Sequence, residues 1–326
     1  MASSSTMREL SKLSLAVKIS GLRLRNPLMN AAGVLGMSPA LLKRVYDSGA
    51  GAVISKSIGP EPRKGHPNPT LVMVDCGALN AMGLPNPGVE YFTDEIKEIK
   101  KMGIPIIASF FGGSVQEFAE VAYQLSRAGA DALELNASCP NVAEELGMLA
   151  ADAGNVEKVT AAVKAETKLP VFVKLSPNVT NIKSIAVAAE WGGADAITAV
   201  NTLKGMVIDV NMKRPVLANI TGGLSGPAMK PVALRCVYEV AQAVNIPVIG
   251  CGGVTTGVDA VEYFLAGASA VEIGTAVMTH GIGVYKEIAD GIEYYMSENG
   301  FDKVEEMVGL AHEIKGDGLS CKGMTR

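Results

Sequence analysis

Pro105 to Ser138 reads PIIASFFGGSVQEFAEVAYQLSRAGADALELNAS, and this stretch decides the fold. Pro105–Phe111 and Ala132–Ser138 are near-continuous apolar runs rather than alternating ones, the mark of strands covered on both faces in a parallel sheet. Between them Ser114 is placed to cap a helix whose Val115, Phe118, Val121, Ala122 and Leu125 share one face, and Gly129 stops it. The stretch is therefore a strand–helix–strand unit.

The same grammar recurs in both directions. Further apolar strands read at Pro27–Gly33, Gly51–Ser57, Val171–Ser176, Ala196–Thr202, Pro247–Gly253 and Ala270–Ala276. Helical patterns lie at Asn155–Thr167, Ile182–Trp191, Lys230–Val244, Gly257–Ala266 and Gly283–Met296. Helix-ending glycine–alanine phrases at Ser48–Gly51, Ala128–Ala130, Gly192–Ala194 and Ala266–Ala268 each precede a strand. Eight such units predict an α/β chain closed into a single (β/α)8 TIM-type barrel. A doubly wound open sheet is the rival. It usually carries GxGxxG after its first strand, and Ala31–Gly36 lacks that pattern.

A length of 326 residues permits two domains. Eight units and two long loops use it as one, residues 1–326, with 1–13 expected to be a flexible tail. Ile58–Gly88 holds six of the 16 prolines, and Leu203–Met229 carries Lys204, Lys213 and Arg214. Both follow strand C-termini, where barrel active sites are built, so both read as lids or substrate walls.

Composition narrows the function. Lys and Arg total 29 against 33 acidic residues, which argues against a nucleic-acid footprint. The mean hydropathy of +0.25 is spread over short runs with no window of ~18 apolar residues, so no membrane span is expected. The first six residues lack the apolar core of a signal peptide. Five scattered cysteines, no CxxC pair and three histidines argue against zinc and for a reducing, cytoplasmic setting. His66, His280 and His312 have no motif context and read as structural or exposed.

Polar residues interrupt the apolar strands at their C-terminal ends, where barrels place catalytic groups. These are Asn30, Ser55–Ser57, Ser109, Asn136, Ser138–Cys139, Lys174, Asn201–Thr202, Gly252–Gly253 and Gly274–Thr275. Lys56 and Lys174 end runs too apolar to face water. Asn136, Asn201 and Asn141 suit a planar polar ligand, since an amide offers both donors and acceptors to an imide edge. The paired glycine turns after the last two strands suit a phosphate. Cys139 lies in a loop beside two of those amides, and a thiol can move a proton near neutral pH. No histidine lies near it in sequence, so proton transfer fits better than acyl transfer. The following segment, Val142–Gly154, is long enough to act as a lid.

Taken in order, Asn80–Gly88 (NAMGLPNPG), Leu135–Asn141 (LNASCPN), Val173–Asn178 (VKLSPN), Asn201–Gly205 (NTLKG) and Ala218–Ala228 (ANITGGLSGPA) resemble class 1 dihydroorotate dehydrogenase. The last phrase is most similar to the type B catalytic subunit, and the resemblance spans about Ser14 to Gly281. It implies oxidation of dihydroorotate to orotate in pyrimidine synthesis, with one FMN held by the strand tops. It implies flavin contacts from Ala32, Lys56, Ser57, Ser109, Asn136, Lys174, Val200, Gly226, Gly252, Gly253, Gly274 and Thr275. Substrate contacts would come from Lys56, Asn80, Ala81, Met82, Gly83, Leu84, Asn136, Asn141, Asn201 and Thr202, with Cys139 as the base. Ala32 and Ser109 depart from the family's usual serine and asparagine, which puts those two side-chain contacts in question. Type B further implies a homodimeric core and a partner subunit that carries FAD and a [2Fe–2S] cluster and passes electrons to NAD+. The cysteine spacing here offers no cluster site of its own. Rival expectations are a fumarate-dependent type A homodimer, a Schiff-base aldolase using Lys56 or Lys174, and a non-catalytic phosphoryl-binding barrel.

Overall fold

The computed structural model describes residues 13–138 and 149–312. Eight parallel strands form its centre: β1 (Leu28–Asn30), β2 (Val53–Ile54), β3 (Ile106–Phe110), β4 (Ala132–Asn136), β5 (Val171–Leu175), β6 (Ala196–Ala199), β7 (Val248–Cys251) and β8 (Ala268–Ile273). Each pairs with its neighbour in sequence, and β8 returns to β1 through Val271–Leu28, Glu272–Met29 and Ile273–Asn30. A single bridge, Met29–Ala52, closes β1 on β2. The (β/α)8 expectation holds.

The helices are α1 (Pro39–Asp47), α2 (Val89–Lys101), α3 (Val115–Ala128), α4 (Ala153–Glu166), α5 (Ile182–Trp191), α6 (Lys230–Ala241) and α7 (Gly257–Leu265). A short α8 (Ala276–His280) and a long α9 (Val284–Asn299) complete the eighth unit. Ser114 caps α3 by accepting from the Glu117 N–H at 3.2 Å, and Gly129 ends it at φ 98°, a conformation costly for any residue with a Cβ. α1 and α2 occupy units whose helices the apolar pattern does not delimit, and Ser38 caps α1 ahead of Pro39. The eighth strand runs Ala268–Ile273 rather than Ala270–Ala276. It leaves the ladder after its last pair with Asn30, and Ala276 already belongs to α8.

The phrase Gly-Ala-Asp, at 129–131 and 193–195, builds one device twice. Asp131 accepts from the Ile106 N–H at 2.8 Å and from Lys100 at 2.6 Å, and Asp195 accepts from the Val171 N–H at 2.8 Å and from Lys164 at 2.7 Å. Each aspartate thus ties the start of its strand to the preceding strand and helix. At the same end, Val17–Ile19 and Leu22–Leu24 form a hairpin turned by Ser20 and Gly21, both at positive φ as a type I′ turn requires. Its Val17, Ile19 and Leu24 are buried and join the barrel core.

At the opposite end the two long loops pair with each other. Strands 203–205, 222–225, 77–80 and 71–74 lie side by side in one antiparallel sheet, with Gly223 opposite Asn80 and Leu203 opposite Leu224. Leu79, Ala81 and Leu217 form a small separate core beneath it. The sequence reads two walls; the structure joins them into one roof beside the barrel mouth. Among the described residues no helix is long and apolar enough to cross a membrane.

Candidate active site

A chain of side-chain hydrogen bonds crosses the tops of β2, β3, β4 and β6. Ser57 Oγ and Ser109 Oγ lie 3.0 Å apart, and Asn136 Nδ2 donates to Ser57 Oγ at 3.2 Å. Ser138 Oγ donates to Asn136 Oδ1 at 2.6 Å, Asn201 Nδ2 donates to Ser138 Oγ, and the Thr202 N–H donates to Asn201 Oδ1 at 2.8 Å. Strand tops distant in sequence thus form one polar ledge on an apolar wall. The chain orients the amides of Asn136 and Asn201 while leaving part of their donor and acceptor capacity for a ligand.

Other strand-top polar groups are consumed by the fold. Asn30 donates to the carbonyls of Ile54 (2.7 Å) and Val34 (2.9 Å) and accepts from the Ile54 N–H, so it clamps β1 to β2. Ser55 Oγ accepts from the Ser109 N–H at 2.9 Å. Val200 is buried, and its N–H is spent on the Cys251 carbonyl at 3.0 Å. Ala32 is half-buried just beyond β1. His66 faces the Ala81 carbonyl at 3.1 Å and His312 the Ala266 carbonyl at 2.9 Å.

Lys56 is the electrostatic anomaly of the mouth. It is only 8% exposed, its ammonium lies against Gly33 at the top of β1, and burial pushes it below the ordinary lysine range. No carboxylate among the described residues pairs with it. A buried cation without a counter-ion is costly unless an anion arrives.

The roof brings Asn80 to the Thr202 end of the ledge. Asn80 Nδ2 donates to the Gly223 carbonyl at 3.4 Å, and Thr202 packs on the same glycine, where a Cβ would fall 2.0 Å from its Oγ1. Ala81, Met82, Gly83 and Leu84 continue from that strand, with Met82 40% exposed. Asn178, from the VKLSPN phrase, ties the roof to β5 by donating to the Thr202 carbonyl at 3.0 Å and accepting from the Lys204 N–H at 2.8 Å. Cys139 and Asn141 lie outside the described residues.

Three chain segments meet as a glycine cradle beyond β7 and β8. Gly226, Gly252 and Gly253 have φ of 94°, 137° and 73°. A Cβ on Gly253 would come within 2.8 Å of the Gly226 carbonyl and the Lys230 backbone. Thr275 Oγ1 donates to Ser225 Oγ at 2.8 Å, which joins the Gly274–Thr275 turn to the same cradle. Asp259 fixes the neighbouring loop: it accepts from the Thr255 and Thr256 N–H groups at 2.9 Å each and from Lys230 at 2.6 Å. A planar ligand with an anionic phosphate fits this donor set, with backbone glycines at one end, amides along the ledge and a bare ammonium in the wall.

Beneath the ledge lies a cluster the sequence reading missed. Lys174 pairs in register with Asn136, and its ammonium contacts Glu272 Oε2 and lies 3.8 Å from Glu134 Oε1. Burial opposes its charge, but the Glu134–Glu272 carboxyl pair beside it outweighs burial and holds the lysine above its ordinary value. A Schiff-base nucleophile needs a free, neutral amine, so Lys174 is unsuited to the aldolase role. The signal was present: Glu134 and Glu272 sit inside otherwise apolar strands, where an unpaired carboxylate cannot be buried.

Fold and mouth together define a (β/α)8 barrel whose strand tops carry a polar ledge and a glycine cradle, at the end where barrel enzymes build their sites. Residues 14–296 match the family described as dihydroorotate dehydrogenase. The chain is 50% identical over 303 residues to the dihydroorotate dehydrogenase B (NAD(+)) catalytic subunit of Pyrococcus furiosus, covering 93% of this chain and 100% of that one. It is 51% identical over 298 residues to the Methanosarcina mazei subunit of the same name, covering 91% and 95%. A solved dihydroorotate dehydrogenase from Eimeria tenella, in complex with ferulenol, superposes with a TM-score of 0.79 at 24% identity over 92% of this chain and 89% of that one, which speaks to the fold. The chain belongs to the dihydroorotate dehydrogenase family, on the side of its class 1 type B catalytic subunits.

Proposed function

We propose that the chain, acting as one barrel domain in the cytoplasm, oxidises dihydroorotate to orotate in pyrimidine synthesis. It uses one FMN and is the catalytic half of a type B enzyme. The observation that carries this reading is Lys56, a buried ammonium without a counter-ion among the described residues, set beside a ledge of oriented amides. Dihydroorotate supplies what the mouth lacks: a carboxylate for Lys56 and a cyclic imide edge for Asn136, Asn201 and the roof's Asn80. Bound FMN supplies the acceptor for the hydride that leaves C6. The protein's part is to orient the substrate, exclude water with the roof, and take the C5 proton on Cys139 Sγ, with Asn141 near that thiol in sequence. Lys174 would contact the flavin ring from below the ledge. Ser57, Ser109 and Ala32 would line it, and Gly226, Gly252, Gly253, Gly274 and Thr275 would receive the phosphate.

The names of the relatives favour NAD+ over fumarate as the terminal acceptor, reached through a partner subunit carrying FAD and [2Fe–2S] on a homodimeric core. The test is anaerobic addition of dihydroorotate to the FMN-loaded chain, followed by its flavin absorbance. Bleaching is expected, and persistent yellow colour sinks the reading. Turnover of the lone chain with fumarate, at a rate matching the holoenzyme with NAD+, would reassign it to type A.

A further inference from the structure

Lys174 is one cation between two carboxyl groups, and the three side chains are at most 5% exposed. Glu134 Oε2 accepts from Thr198 Oγ1 at 3.2 Å, while Glu134 Oε1 and Glu272 Oε1 have no hydrogen-bond partner among the described residues. The two carboxyl groups are themselves within hydrogen-bonding reach. Burial and the neighbouring Glu272 raise Glu134 well above the carboxylate range, and burial likewise raises the nearby Cys251 thiol, which therefore carries no charge near neutral pH. One ammonium cannot neutralise two buried carboxylates, so electroneutrality leaves one proton for the pair. A proton on the pair also lets the two carboxyls hydrogen-bond to each other, which two carboxylates cannot do.

We propose that Glu134 and Glu272 act together as positioning residues for the oxidation: they share one proton and one negative charge, and that single charge pins Lys174 and sets the positive field it presents to the flavin. The proposal rests on the FMN reading above. It goes beyond that reading by assigning a task to two carboxyls to which that reading gives no contact with substrate or cofactor. Register places them there: Glu134 is two residues below Asn136 on β4, Lys174 pairs with Asn136 and Thr198, and Glu272 is the penultimate residue of β8.

Because the charge is shared, deleting either carboxyl leaves the other to carry it. The holoenzyme is prepared as wild type, E134Q, E272Q and the double variant, and the flavin midpoint potential is measured in each. Each single variant should change the reduced-to-oxidised equilibrium constant by less than about threefold. The double variant should raise it at least tenfold, about +30 mV for two electrons. Additive effects of the single variants, or an unchanged or lowered potential in the double variant, would overturn the proposal. Infrared spectroscopy supplies a second measurement that needs no flavin and no double variant. A buried protonated-carboxyl band should be present in the wild type and absent from both single variants, and its persistence in both overturns the sharing. A wild-type chain that retains no FMN would instead defeat the functional reading and leave the infrared test standing.

Discussion

Replacing Lys56 with methionine should make the protein more stable and useless. The two side chains have similar length, so the wall stays filled, while an ammonium only 8% exposed is removed. That ammonium has no carboxylate partner among the described residues, and burial lowers it below its ordinary value. Burying an unpaired ion costs several kcal/mol after relaxation; with the residual exposure, a gain of about 2–3 kcal/mol is expected, or about 3–4 °C in Tm for a chain of this length. The sign with pH follows from linkage. At pH values below the folded-state value both states hold the proton and the penalty is fully present. As pH rises from there toward the ordinary lysine value near ~10.4, the folded state releases its proton first and the penalty fades. The advantage of Lys56→Met over wild type should therefore be largest near neutral pH and shrink at alkaline pH. The assay is paired thermal unfolding of the two flavin-stripped proteins from pH 7 to 10, alongside dihydroorotate binding to their FMN-loaded forms. Binding should weaken by about 3 kcal/mol, at least ~10²-fold, because the substrate carboxylate loses its charged partner. A variant that melts at or below wild type near neutral pH would refute the claim that Lys56 waits unpaired for an anion.

Cys139→Ser should slow flavin reduction by dihydroorotate at least ~10²-fold while leaving FMN bound, since a hydroxyl is a much poorer base than a thiolate; stopped-flow bleaching at neutral pH checks it. Gly253→Ala should lose FMN during gel filtration, because the new Cβ meets the Gly226 carbonyl and the Lys230 backbone at 2.8 Å, and full flavin content would count against the cradle. Burial would raise Asp259, but Lys230 and the Thr255 and Thr256 donors hold it at about 2. Its stabilisation is thus fully present above the ordinary carboxylate value near ~3.9 and is lost as pH falls toward 2. Asp259→Asn should cost about 1–2 kcal/mol at pH 7 in urea unfolding, and a gap that fails to narrow below pH 4 would contradict the assignment.

What could be read from the chain divides along the direction of the interactions. Period and punctuation are local. Ser114, Gly129 and the apolar face between them specify α3 without help from elsewhere, and repeating that unit specifies a barrel. The hydrogen-bonded ledge was legible as a set of residue types at strand ends. The barrel then brought Ser57, Asn136 and Asn201 together from positions 79 and 65 residues apart, because parallel strands put their C-terminal ends on one rim. The roof was not legible as one object. Its strands are short: 71–74 and 77–80 form a local hairpin after β2, and 203–205 pairs with 222–225 after β6, but the Gly223–Asn80 pairing that joins the two loops spans 143 residues and leaves no local signal. The carboxyl pair failed for a different reason. Glu134 and Glu272 each read as a single polar exception in an apolar strand, and a single exception is ordinarily assigned to a solvent-facing edge. Only closing β8 on β1 makes every strand interior, and then neither glutamate has an edge to face. A charged residue at the middle of a strand in a predicted closed barrel should therefore be matched with an opposite charge on another strand before it is discarded. Lys174, already singled out, was the cation awaiting both.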